Sequence, residues 1–188
     1  MKLLMLPLLL LASLPALCAE TMIIDPSHSA VVFHWNHFGF SNPVARFEKI
    51  EGKLVLDEAD LAKSSVTVKL ALDGLRTGDD FLNKRLKTAE FLDAATYPDI
   101  SFQSTGIVKG PMNTLKITGN LSVHGVTRSV VLDATVNKIH TDPQAKTGRA
   151  GFDAETVIRR SDYGVDKYVP AVTDELFIHI TLEANVEE

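Results

Sequence analysis

The amino-acid sequence predicts an all-β domain, an antiparallel up-and-down β-barrel of about eight strands with one inserted helical segment. Three observations carry that prediction. Apolar and polar residues alternate with period two in run after run from Met22 onward, the pattern of strands with one buried and one wet face. Turn residues separate the runs at Asp73-Gly74, Gly110-Pro111-Met112-Asn113, His124-Gly125 and Asp142-Pro143, which makes most connections hairpin-like. One stretch, Thr77 to Leu92, abandons the alternation.

The chain opens with Lys2, an apolar run from Leu3 to Leu14, and the small-residue, helix-breaking end Pro15 to Ala19. This is the layout of a signal peptide over 1–19, cleaved after Ala19; the run is well short of the roughly 20 residues that span a bilayer. Residues 20–188 are then one exported domain with no transmembrane segment. Cleavage removes the sole cysteine, Cys18, so the domain must be held together by its core without a disulfide. The formal net charge of −5 argues against nucleic acid and anionic membrane surfaces as partners, since both call for a basic patch.

Strands are expected over Ala30 to His37, Phe47 to Leu56, Val66 to Leu72, Ile100 to Gly106, Leu115 to Val123, Val130 to Val136, Arg149 to Arg159 and Leu176 to Val186. A meander that long curls, and closing it removes the exposed edges. In the exceptional stretch Thr77 stands three residues before Asp80, a relative of the capping box, and Leu82, Leu86 and Ala89 fall on one helical face. A helix or helical lid over 77–92 is expected, at the barrel mouth or packed outside it.

Alternation predicts that Phe33, Trp35, Ile100, Phe102, Leu115, Ile117 and Leu121 point into the barrel. Phe38, Phe40, Phe47, Phe81 and Phe91 add to an aromatic cluster. Any one of these is accounted for as core filling. An eight-stranded interior is wide enough either to be filled by its own side chains or to hold one small ligand, and the sequence is compatible with both.

No nucleophile elbow, zinc-protease helix, paired-cysteine motif or phosphate-binding loop is present. Asp79 and Asp80 read as first-turn helix charges. His34 and His37 are separated by an odd number of residues and fall on opposite faces of a strand, so they do not form a metal site together. No enzyme activity, metal or cofactor is expected.

The segment Ile24-Asp25-Pro26-Ser27-His28-Ser29, followed by Phe33, His37 and Gly39, resembles the opening motif of the YceI-like, polyisoprenoid-binding proteins. Further similarities follow in order at Phe47 and Gly52, Thr77-Gly78, Leu86 with Glu90-Phe91-Leu92-Asp93, Tyr97-Pro98, Phe102, Gly119-Asn120-Leu121, His124-Gly125-Val126-Thr127 and Arg160-Ser161-Asp162-Tyr163-Gly164. The resemblance implies a lipocalin-like barrel, periplasmic, whose apolar cavity takes an isoprenoid or isoprenoid-quinone-like lipid for carriage or storage, and which can pair as a homodimer. It makes Phe33, Trp35, Phe38, Phe40, Phe47, Phe81, Leu82, Leu86, Phe91, Ile100, Phe102, Leu115, Ile117 and Leu121 candidate tail contacts. His37, Arg85 and Arg160 become candidate headgroup contacts. The chain departs from the family where many members carry Arg-Asp-x-His-Leu and it has Leu82-Asn83-Lys84-Arg85-Leu86. The alternative function is a structural or stress-related interaction module with a filled barrel.

Overall fold

A computed structural model describes residues 19–142 and 147–187. The predicted signal peptide, Ala19 apart, and the Pro143 half of the Asp142-Pro143 turn lie outside the described residues. The strands are β1 (Glu20–Ile24), β2 (Ala30–His34), β3 (Val44–Phe47), β4 (Ile50–Leu56), β5 (Ser65–Ala71), β6 (Leu75–Arg76), β7 (Asp99–Lys109), β8 (Thr114–Val123), β9 (Val126–Asp142), β10 (Thr147–Arg159) and β11 (Glu175–Val186), with one helix, α1 (Asp80–Leu86). All pair antiparallel in a single sheet. β1 and β2 are successive halves of one broken strand, as are β3 with β4 and β5 with β6, so the ring has the eight positions that alternation predicts.

The ring closes on β11, which pairs with β10 on one side and with both halves of the first strand on the other. Phe177 to Thr181 lie against β2, and Ala184 to Val186 lie against β1. The registers set the predicted faces. Leu115, Ile117, Leu121, Val130, Leu132 and Ala134 face inward, while Lys116 reaches Asp133 on the outside. Between Ser104 and Gly106 β7 shifts register, and the extra residue moves Ile107 onto the buried face. Gly119 sits beneath the Phe102 ring, where a Cβ would come within 2.3 Å of Cζ; only glycine leaves room for that ring inside the wall. The His124-Gly125 turn takes φ of 51° and 74°, the two left-handed residues of a type I′ hairpin.

The helix is shorter than predicted. Its N-cap is Asp79, whose carboxylate accepts from the Leu82 N–H at 2.7 Å, whereas Thr77 donates to the Asn83 side chain outside the helix. After Leu86 the chain folds back: the Leu92 N–H donates to the Leu86 carbonyl and the Ala94 N–H to Lys87. Residues 87–97 are therefore a succession of turns, and Ala89 is exposed beyond the helix.

The break between β1 and β2 is pinned by polar groups of the opening motif. Asp25 Oδ1 accepts from the Ser27 N–H at 2.8 Å, an Asx turn, and Oδ2 accepts from His28 Nδ1 at 2.8 Å. Glu183 on β11 lies 3.9 Å from His28 and 3.1 Å from the Arg149 guanidinium. The hydrogen bond to Asp25 raises the His28 imidazole above its ordinary value, and the same bond, with the Ser27 N–H, lowers the Asp25 carboxyl. A raised histidine contributes its full stabilisation below the unfolded value, near pH 6.5, and loses it as pH rises through the folded value. The lowered aspartate contributes above about pH 4 and is lost as pH falls. The melting-temperature advantage of the parent protein over His28→Ala should therefore be greatest between about pH 4 and 6.5 and shrink towards about pH 8. A difference that stays level across that range would show that the ion pair does not hold this connection.

Candidate functional site

The connections at one end of the barrel are α1 with the turns after it, the turn following Trp35, the His124-Gly125 hairpin and the loop 164–174. Between them opens a cavity of about 660 Å3 that runs down to Leu61 and Ser64 near the opposite end. Its wall is almost wholly apolar. The side chains alternation aimed inward, Phe33, Trp35, Ile100, Phe102, Leu115, Ile117 and Leu121, all line it, with Phe47. Small inward residues leave it room: Ala134 and Ala154, ladder partners on β9 and β10, face it side by side.

The mouth gathers most of the remaining candidates. Leu82 and Leu86 of α1, Phe91 from the turns and Phe38 line it, as does Phe81, which is 71% exposed at the rim. Phe40 does not join them. It stands 90% exposed at the tip of the turn closed by the bridge between His37 and Ser41, because Phe38 and Gly39 take positive φ and turn the chain outward. His37 lines the mouth, edge-on to the Phe38 ring at 4.7 Å, while His34 lies on the outer face, stacked on Phe177 at 4.9 Å.

Arg85 Nη2 donates to the Tyr168 hydroxyl at 2.7 Å. Its guanidinium lies 5.7 Å from the Phe91 and Tyr168 ring centres and 3.5 Å from Glu90, which also pairs with Lys167. These contacts tie the α1 side of the mouth to the loop 164–174.

Arg160 has a different position from the one expected of a headgroup contact. It is buried, and its guanidinium donates to four backbone carbonyls: Thr173 (2.9 Å), Val165 (2.7 Å), Lys167 (2.9 Å) and Val172 (2.9 Å). Four of its N–H donors are held by the loop, so Arg160 is a brace. Burial draws its guanidinium below the ordinary value, against the pull of Asp174 and Asp166, and it stays charged. Burial alone would push the Asp174 carboxyl up, but two hydrogen bonds from Ser161 and the nearby arginines hold it below its ordinary value. Tyr163 is buried beside it and Gly164 takes the left-handed conformation that ends the turn. The loop's dependence on one arginine went unseen in the sequence, where no local signal marks which arginine will meet a run of carbonyls.

Among the described residues, Asp25, His28 and Glu183 are the one grouping whose donor atoms lie close enough for a metal ion. It lies at the strand break, and Arg149 already pairs with its glutamate.

The YceI-like domain model matches residues 23–184. A UPF0312 protein of Vibrio cholerae is 30% identical over 86% of each chain, and one of Pseudomonas putida is 33% identical over 93% of this chain and 90% of its own. Among solved structures, Burkholderia cenocepacia BcnA superposes with a TM-score of 0.76 at 25% identity, covering 85% of this chain and 98% of that one. The YCEI protein of Campylobacter jejuni gives 0.73 at 25% identity, covering 81% and 90%. A polyisoprenoid binding domain of Saccharophagus degradans shares the fold at 14% identity, with a TM-score of 0.71 over 90% of this chain and 99% of that one.

Replacing Arg160 with Met should leave four carbonyls without donors. At roughly 1–3 kcal/mol for each buried group left unsatisfied, partly relieved by water, a loss of about 3 kcal/mol or more is expected in denaturant unfolding. Arg160→Lys should recover little of it, since an ammonium cannot reach four acceptors spread around a planar fork. Unchanged stability in both variants would refute the brace.

Proposed function

The chain belongs to the YceI-like family of non-catalytic ligand-binding barrels, and from that premise we propose that it holds the tail of an isoprenoid or related amphiphilic lipid in the barrel cavity, for carriage or storage. The observation that carries this reading is the apolar lumen that the side chains leave unfilled, within the range of about 300–1,000 Å3 usual for ligand sites. A barrel serving only as a scaffold would gain dispersion contacts by filling that space. Burial of each CH2 contributes about 0.8 kcal/mol, so a long tail supplies affinity with few polar contacts. Members of the family are typically periplasmic, and no helix among the described residues is long and apolar enough to cross a membrane. The signal peptide read in the sequence supports a periplasmic setting for this chain.

Ala154→Phe tests the reading, because it puts a ring into the middle of the lumen without touching the ladders on either side. Affinity for a fluorescent polyene lipid should fall at least about tenfold, with strand circular dichroism retained. Retained affinity in the folded variant would sink the proposal. Native mass spectrometry with solvent extraction should find a copurifying lipid in protein gently prepared from its own host.

A specific observation on the outer wall favours a second contact. Val157, Phe177, His34 and Val44 are successive ladder partners across β10, β11, β2 and β3, and Val157, Phe177 and Val44 are 50, 43 and 52% exposed. In the next outward row Glu155 stands at the β10 end and Arg46 at the β3 end. A two-fold axis along the strands would lay this row on itself in a second copy and bring each Glu155 towards the partner's Arg46. We propose this face as a homodimer contact. Sedimentation equilibrium should show Glu155→Arg weakening the dimer and the added Arg46→Glu restoring it. A monomeric parent protein would end this reading.

A further inference from the structure

Resting on the lipid-binding reading, we infer that the mouth selects an anionic headgroup, a phosphate or carboxylate at the end of an apolar tail, through Arg85 and Lys167. Four charged residues border the cavity: Arg85, Lys167, Arg160 and Asp153. Two of them are committed elsewhere. Arg160 spends its guanidinium on loop carbonyls, and the Asp153 carboxylate accepts from the exposed Asn137 amide at 2.9 Å. The other two stand together at the rim, with Arg85 37% and Lys167 35% exposed, and share one carboxylate, Glu90, itself 43% exposed. Within this rim cluster two cations face one anion, while Asp166 of the same loop acts on the buried Arg160.

The arrangement is also held in place. The Arg85 guanidinium lies beside the Phe91 and Tyr168 rings, 5.7 Å from each centre, and Lys167 lies 5.5 Å from the Tyr168 ring centre. The Lys167 carbonyl is one of the four that Arg160 grips, so the buried brace fixes the backbone from which the second cation projects. A guanidinium presents a planar fork suited to the oxygens of a phosphate or carboxylate, and a neighbouring ammonium adds a point charge. An alcohol or a bare tail end gains little from either, and an amine is repelled. Glu90 is the competitor that an incoming anion must displace.

Geranylgeranyl phosphate, geranylgeraniol and geranylgeranylamine share one tail and differ in charge, and each can be read by displacement of a fluorescent polyene lipid. The parent protein should bind the phosphate at least about tenfold more tightly than the alcohol, with a preference that narrows as salt is raised, and the amine most weakly. Arg85→Gln with Lys167→Met should bring phosphate and alcohol within about twofold of each other while the alcohol binds as before. Glu90→Gln separates selection from a merely structural latch. Freeing both cations should widen the preference for phosphate, whereas loss of a latch would weaken all three ligands alike and overturn the inference. Equal binding of phosphate and alcohol by the parent protein would overturn it too, leaving the lipid-binding reading intact. Binding of none of the three would remove both. Inorganic phosphate at millimolar concentration should not displace the polyene probe; if it did, the site would be one for free phosphate and the headgroup assignment would fall.

Discussion

Everything in this molecule depends on the closure of the sheet at β11, where one long strand satisfies both halves of a broken first strand. A barrel closed by backbone hydrogen bonds has no free edge to protect. It also needs less from its interior than a sandwich or bundle does, because the wall is held together along its circumference. That is the condition under which Ala134 and Ala154 can face inward and leave a lumen. The break that makes the closure possible is local chemistry. Asp25 turns the chain at Ser27, and His28, Glu183 and Arg149 fasten the turn to β11.

Alternation made the wall legible from sequence because side-chain direction in a strand has a period of two and no freedom besides register. Leu115, Ile117 and Leu121 could not face inward unless Lys116 faced out, and they do. The same logic set His34 and His37 on opposite faces, and His34 lies on the outer wall with His37 at the mouth. Where the chain departs from ideal strands, the pattern carries less. The broken strands and the extra residue between Ser104 and Gly106 arise from pairing with distant segments, which no local window contains. Whether the lumen is filled was equally illegible, since alternation describes a packed barrel and an open one in the same terms.

The helix stops short of what its spacing predicts for a related reason. Leu82 and Leu86 fall on one face of α1 and reach the cavity, whereas Ala89 shares their spacing but lies beyond the helix. The chain instead turns back after Leu86, satisfying its carbonyl with the Leu92 N–H. Phe40 illustrates the converse. Its aromatic character fits a pocket, yet positive φ at Phe38 and Gly39 points it to solvent, and backbone handedness at a non-glycine residue leaves little trace in composition.

Arg160 and Arg85 show why residue type alone does not assign a role near such a cavity. Both are arginines at one end of the barrel, yet one is buried among four carbonyls and the other lies beside two rings at the rim. A buried arginine that engages four carbonyls contributes order, because removing it exposes acceptors that nothing else can reach. A rim arginine that shares one carboxylate with a lysine keeps attraction to spare for an anion from outside. The two are mechanically connected, since the loop that Arg160 braces carries Lys167 and Tyr168, against which Arg85 is held. Rigidity at the buried position is therefore what allows charge at the exposed position to act with a defined geometry. A mouth built on a loose loop would attract anions without orienting them over the lumen, and tail and headgroup would then bind as separate events instead of one.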